Sequence, residues 1–149
     1  MSNDQETIWG PYLSEAGFTI IPHHLLFINS LVTEEMHLTA SEIMLLITLI
    51  SFQWKPKTKV FPSIKTLSNR SGISERQIQR LILGLEEKKY IIVNRRTSNV
   101  NIFDLSPCIE LVKNLIKEEK NYFRDNNMDS KDFRNMKNIG IFLRKNIMK

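Results

Sequence analysis

Cysteine occurs once in this 149-residue chain, at Cys108. One thiol excludes an internal disulfide framework and a Cys-based zinc finger, and it fits a reducing cytoplasm. Long apolar runs are missing: nothing approaches the ~20 residues of a membrane span. The opening Met-Ser-Asn-Asp-Gln-Glu is polar and acidic, where a secretory signal needs a basic region and an apolar stretch, so neither secretion nor membrane insertion is expected. Catalytic signatures are also lacking. There are no paired carboxylates, no phosphate-cradling glycine loop and no nucleophile with its base, so no enzyme and no cofactor are expected. His23, His24 and His37 have no Asp, Glu or Cys at a metal-site spacing, which leaves them surface or capping roles and no metal. Cys108 opens an amphipathic segment with no His at motif spacing and is expected to be a packed thiol. No internal repeat or low-complexity tract divides the chain, whose length suits one domain with a modest appendage.

What is present in excess is positive charge, 21 Lys and Arg against 16 Asp and Glu, for a net of +5. It is unevenly placed. Residues 1–60 carry a net of −3, while residues 61–104 and residues 105–149 each carry +4. A surface that meets a polyanion is therefore expected after residue 60.

Along the chain, residues 1–15 show no sustained period and are expected to be a loose arm pinned by Trp9 and Tyr12. Gly17–Pro22 has the composition of a short strand, and a short apolar helix is expected over 23–33. Thr39 and Glu42 form a Thr-x-x-Glu capping box ahead of a helix apolar nearly all round, the expected centre of the domain. After the charged loop Lys55–Lys59, Ser63 opens a helix that Gly72 closes, and Ser74 opens another that runs to about Lys88. Two alternating runs, Tyr90–Arg95 and Asn99–Leu105, form a hairpin around 96–98, ended by Pro107. Ile109, Val112, Leu115 and Ile116 then share one face of a helix over 108–120, which either packs on its own domain or pairs with a second copy. The stretch 118–136 is polar, with a break at Asn126-Asn127. Ile139, Phe142, Leu143 and Ile147 mark a final amphipathic segment expected to fold back on the domain.

The informative stretch is 63–85. A short helix, a glycine turn, a buried apolar residue at Ile73 and a Ser-capped second helix make a helix-turn-helix. At ~100° per residue, Ile78, Leu81, Ile82 and Leu85 fall on the core side of the second helix and Arg76 and Arg80 on the opposite side, flanked by Gln77 and Gln79. Arg and Gln make bidentate contacts with guanine and adenine edges in the major groove. Lys65 and Arg70 on the first helix, Ser74 at the turn, and Arg95 and Arg96 at the hairpin tip complete the expected contact set, the hairpin reaching phosphate or minor groove.

These motifs resemble the winged helix-turn-helix domains of plasmid and phage replication initiators and related small regulators. The likeness covers residues 17–105 and is carried by Gly-Phe-Thr-Ile-Ile-Pro at 17–22, the Leu-Thr-x-x-Glu opening at 38–42 and Phe-Pro-Ser-Ile-Lys-Thr-Leu at 61–67. Gly-Ile-Ser-Glu-Arg-Gln-Ile-Gln-Arg at 72–80 and Leu-Glu-Glu-Lys-Lys-Tyr-Ile at 85–91 complete it. The resemblance implies that Arg76, Gln77 and Arg80 face DNA. One departure stands out, Lys89 at a position where the family commonly has Gly.

The expected fold is α+β, a winged helix-turn-helix with a three-helix core and a β-hairpin wing plus a C-terminal helical tail. Its expected divisions are an arm at 1–15, the DNA-binding domain at 16–106 and a basic helical extension at 107–149. The expected function is non-catalytic binding of double-stranded DNA as a cytoplasmic transcriptional regulator, with a homodimer through the C-terminal helix as a possible partnership. Two alternatives stay open: a replication initiator or accessory factor at origin repeats, and a winged helix that binds protein.

Overall fold

The computed structural model describes residues 7–96, 100–127, 140–141 and 143–145. The elements they form include α1 Leu13–Ala16, α2 His23–Leu26, α3 Ala40–Ile50, α4 Ile64–Ser71, α5 Glu75–Glu87, a hairpin of β1 Ile92–Arg95 and β2 Asn101–Asp104, and α6 Ser106–Asp125. The expected α+β winged helix-turn-helix is present: α3, α4 and α5 pack on one another in pairs, and an antiparallel hairpin follows them.

Local chemistry sets these helix ends. Thr39 accepts from the Glu42 amide at 3.1 Å while Glu42 accepts from the Thr39 amide at 2.9 Å, closing the capping box. Ser63 takes the Thr66 amide and Ser74 the Gln77 amide. Gly72 ends α4 at φ 75°, the left-handed conformation the turn requires. α3 supplies the centre through Leu45, Leu46 and Leu49, all fully buried, and meets Ile78, Ile82 and Leu85 of α5.

Glu42 does more than cap. It is buried, and Lys88 at the end of α5 donates to it at 2.6 Å. The carboxylate comes so close to α5 that a Cβ at Gly84 would lie 2.6 Å from Oε2, so Gly84 is what lets α3 and α5 share this charge.

The end of α5 is a Schellman motif: the Tyr90 amide bonds the Leu85 carbonyl and the Lys89 amide the Glu86 carbonyl, both at 3.0 Å. Its left-handed residue is Lys89, at φ 65°. The departure from glycine noted in the sequence therefore sits where glycine is favoured. Lys89→Gly is expected to raise stability by about 1 kcal/mol, read as a higher midpoint in urea unfolding with an unchanged slope.

The hairpin pairs Ile92 with Asp104 through Arg95 with Asn101. A third piece that periodicity did not suggest lies on its other side. Val60 exchanges two backbone hydrogen bonds with Phe103, at 3.0 and 2.7 Å, so β2 is held on both edges. Tyr90 precedes the strand: it is fully buried, and its hydroxyl donates to the Met36 carbonyl at 2.7 Å. Burial raises its pKa above the ordinary phenol value.

Several expectations are corrected. Gly17–Pro22 forms no strand: among the described residues no segment pairs with it, and Phe18 and Ile20 face solvent. The helix expected over 23–33 breaks into α2 and a 3-10 turn at Ile28–Ser30, because the Asn29 amide turns to bond both backbone groups of Leu38 at 2.7 Å. Trp9 and Tyr12 do not pin the arm, being 64% and 70% exposed. Pro107 starts a helix instead of ending a unit, since its missing N–H costs nothing in the first turn. α6 extends five residues beyond the expected end at 120 and stops at the Asn126-Asn127 break.

α6 covers the domain. Val112 and Leu115 enter the core, and Ile109 and Ile116 pack against it, so the face considered for a second copy is occupied by the chain's own domain. Cys108 is buried, as expected, and burial pushes its thiol up to about 12. His24 of α2 and Glu119 of α6, both buried, bond each other and tie the helix before the core to the one after it. Leu143 folds back into the same core, with Arg144 donating to the Ser30 carbonyl. Ile139, Phe142, Ile147 and the hairpin residues 97–99 lie outside the described residues. Among the described residues no helix is long and apolar enough to cross a membrane.

Candidate nucleic-acid interface

α5 presents two faces. Ile78, Ile82 and Leu85 are buried with Leu81 packed behind them, and Arg76, Gln77, Gln79 and Arg80 are exposed. The Ser74 cap opens α5 directly after the glycine turn, and the outward side chains of its first turns stand in solvent.

Arg76, Gln77 and Arg80 border a cleft of about 500 Å³ whose other walls are Ser74, Leu81, Thr39 and Ser41. The cleft thus lies between the first turns of α5 and α3. Its lining contains two guanidiniums and no carboxylate. Thr39 and Ser41 were not singled out in the sequence because their contribution depends on how α3 crosses α5, which spacing along the chain does not encode.

Leu83 was missed for a different reason. It is 56% exposed and lies ~20° from Arg76 around the helix, on the outward stripe. The helical wheel contained that signal, but attention to charged residues passes over an exposed leucine. Glu87 shares the stripe further along, so the positive part of the face is confined to the first two turns.

The other candidates divide. Lys65 is exposed in the first turn of α4. Arg70 closes the same helix but lies 4.5 Å over the Phe52 ring, a cation–π contact that holds it towards the far end of α3. Ser74 spends its hydroxyl oxygen on the Gln77 amide.

Arg95 is engaged within the chain. Its guanidinium donates to both oxygens of Glu86 on α5, at 3.0 and 2.9 Å. The pair shifts both groups: the Arg95 hydrogen bonds hold the Glu86 carboxyl below its ordinary range, and Glu86 raises Arg95. Glu86 thus fastens the end of β1 to α5 through a two-point contact with Arg95. Side chains alternate along a strand, which puts Arg95 with Val93 on the α5 side. Arg96 follows β1 and is exposed. Arg95→Ala is accordingly expected to leave the salt dependence of duplex binding nearly unchanged, whereas Arg96→Ala weakens binding to all sequences alike and lowers the salt slope by about one unit, both read by anisotropy titration.

Searches of curated proteins and of solved structures return no match. Residues 36–91 match a family model described as "Helix-turn-helix domain". That span begins at Met36, which takes the Tyr90 hydroxyl, and covers α3, the glycine turn and α5. Over residues 36–91 the chain is thus similar to that family, and the Ser63-capped helix, the Gly72 turn and the Ser74-capped helix lie within the matched span.

Proposed function

We propose that this protein binds double-stranded DNA in a sequence-specific, non-catalytic way and acts in the cytoplasm as a transcriptional regulator. The observation that carries the reading is the exposed Arg76–Gln77–Arg80 group around a carboxylate-free cleft at the start of α5. Helix-turn-helix proteins place the start of this helix against base edges, and Arg and Gln are the side chains that read guanine and adenine bidentately. In this reading Gln79 flanks the base contacts, Leu83 meets a thymine methyl, and Lys65 and Arg96 hold phosphates. Arg70 and Arg95 support the scaffold.

Selection of bound duplexes from a random pool tests this directly. A consensus a few base pairs wide per bound chain is the expected result. Failure to retain any duplex at ~50 mM salt, where phosphate contacts are strong, overturns the reading and promotes a winged helix that binds protein. Footprinting then separates the two jobs a consensus allows. Protection of a promoter supports regulation, and protection of iterated origin sites replaces it with replication initiation.

A further inference from the structure

Between Glu42 and Glu75 the chain has no acidic residue. Residues 43–74 carry Lys55, Lys57, Lys59, Lys65 and Arg70, five positive charges and no negative one, which equals the net +5 of the whole protein. Three of the five lie in the loop 55–59 after α3, and they are the only Lys or Arg before residue 60. All three are exposed, and no ion pair among the described residues engages them. The loop is held in place: the Thr58 hydroxyl donates to the Lys55 carbonyl at 2.8 Å, and Val60 is bonded to Phe103.

Aromatic surface adjoins this charge. Trp54, directly before the lysines, is 90% exposed, and it walls a groove of about 620 Å³ together with Phe18, Ile20, Gln53 and Arg70. No carboxylate lines that groove. Arg70 gives the face of its guanidinium to the Phe52 ring at 4.5 Å, so the N–H groups along its edge stay available to an anion. Gln53 has one group unmet. Its Nε2 donates to the Lys55 carbonyl at 3.3 Å, which fixes the amide, and its Oε1 is enclosed with no hydrogen-bond partner among the described residues. Such an acceptor calls for an N–H donor from whatever occupies the groove.

We propose that this surface binds single-stranded DNA, with bases stacked on Trp54 and Phe18, phosphates on Arg70, Lys55 and Lys57, and a base amino group donating to Gln53. Cations set beside exposed aromatic faces are how proteins hold unpaired strands. A duplex keeps its base faces stacked on one another and uses only the charge. An acidic peptide likewise answers the charge and leaves the rings unmatched, while an anionic membrane is flat where this surface is concave. The choice of DNA as the strand rests on the duplex reading of α5 above. The two surfaces are separate: the basic cleft lies at the Thr39–Ser41 end of α3 and the groove at its Ile50 end, and a helix of 11 residues is about 16 Å long. A strand released from a duplex held on α5 thus finds a second site on the same molecule.

Anisotropy titration of the full chain with a labelled oligodeoxycytidine of about 12 nucleotides, at ~50 mM salt, tests the proposal. The parent is expected to bind it. Trp54→Ala is expected to lose about 5-fold or more, and Trp54→Phe, which keeps a stacking face, to lose little. Replacing Lys55 and Lys57 together by alanine should lower the salt slope by about 1.4, at ~0.7 for each single-strand phosphate. Far-ultraviolet circular dichroism should not change in any of these variants, since the side chains are exposed. Arg80→Ala should bind the oligonucleotide like the parent, and Trp54→Ala should bind the selected duplex like the parent. A parent that leaves the oligonucleotide free, a Trp54→Ala that binds it like the parent, or a Trp54→Phe as weak as the alanine variant each overturns the proposal. Tighter binding of the matching oligoribonucleotide overturns it too, as does Trp54-dependent binding of polyglutamate or of phosphatidylserine vesicles in place of the oligonucleotide. Failure on every duplex, with the oligonucleotide still held through Trp54, overturns the reading of α5 alone.

Discussion

Arg80→Ala is expected to weaken binding to the selected duplex by about 1–3 kcal/mol, roughly 5- to 160-fold, and to erase preference at one base position. The size follows from where the guanidinium stands. Arg80 is exposed beside the cleft, and no ion pair among the described residues engages it. Its capacity for a bidentate contact is therefore unspent in the free protein. Alanine is the best helix former, so α5 itself is unharmed by the change. Anisotropy against the consensus and against each single-base variant checks both parts. Arg80→Ala that binds and discriminates like the parent would show that this face of α5 does not dock in the groove.

The largest expected loss of stability comes from Glu42. Glu42→Ala removes the acceptor of the Thr39 amide and of the Lys88 ammonium and leaves Lys88, whose side chain is only 27% exposed, without its partner. Breaking a buried pair costs ~3–5 kcal/mol, and access of Lys88 to water lowers this to about 3 kcal/mol. Thermal unfolding followed by circular dichroism should show a midpoint about 10 °C lower. Acid should reveal the same carboxylate. Burial pushes the Glu42 carboxyl up, but hydrogen bonds from Lys88 and Thr39 outweigh it and hold the group below the ordinary value of 4.5. A depressed folded-state value means that the stabilisation is complete above the unfolded value and is lost as pH falls through the folded one. Below about pH 4.5 the parent should therefore lose stability faster than Glu42→Gln. Parallel curves would assign the acid sensitivity elsewhere.

The helix-turn-helix was legible in the sequence because its determinants are local. Thr39 and Glu42, Ser63, Gly72 and Ser74 each act within a few residues of themselves, and the apolar period of α5 sorts its faces without knowledge of its neighbours. Pairings across the fold were not legible. Nothing near Arg95 announces that Glu86 will take both its donors, and an arginine at a hairpin tip has the same composition whether it meets phosphate or a carboxylate. Val60 joins Phe103 from 43 residues away, and His24 meets Glu119 across 95. The strand expected at Gly17–Pro22 failed for a related reason, since β-branched residues pair only where another edge is presented. Likewise Ile109, Val112, Leu115 and Ile116 formed the expected stripe, while its partner depended on where α6 fell.

The two hydrogen bonds between Val60 and Phe103, together with the one from the Cys108 amide to the Tyr90 carbonyl, define what unfolds together. The segment 36–91 has one half of each connection, and the other halves lie at β2 and α6. Opening the wing would strip β2 from the loop before α4, and detaching α6 would uncover Tyr90 and the core beneath it. The cooperative unit is thus larger than the helix-turn-helix, and the hairpin belongs to it as fully as the helices do. In the proposed DNA complex, the described strands β1 and β2, held in this unit, would lose little conformational freedom on binding, so ordering them would subtract little from the affinity.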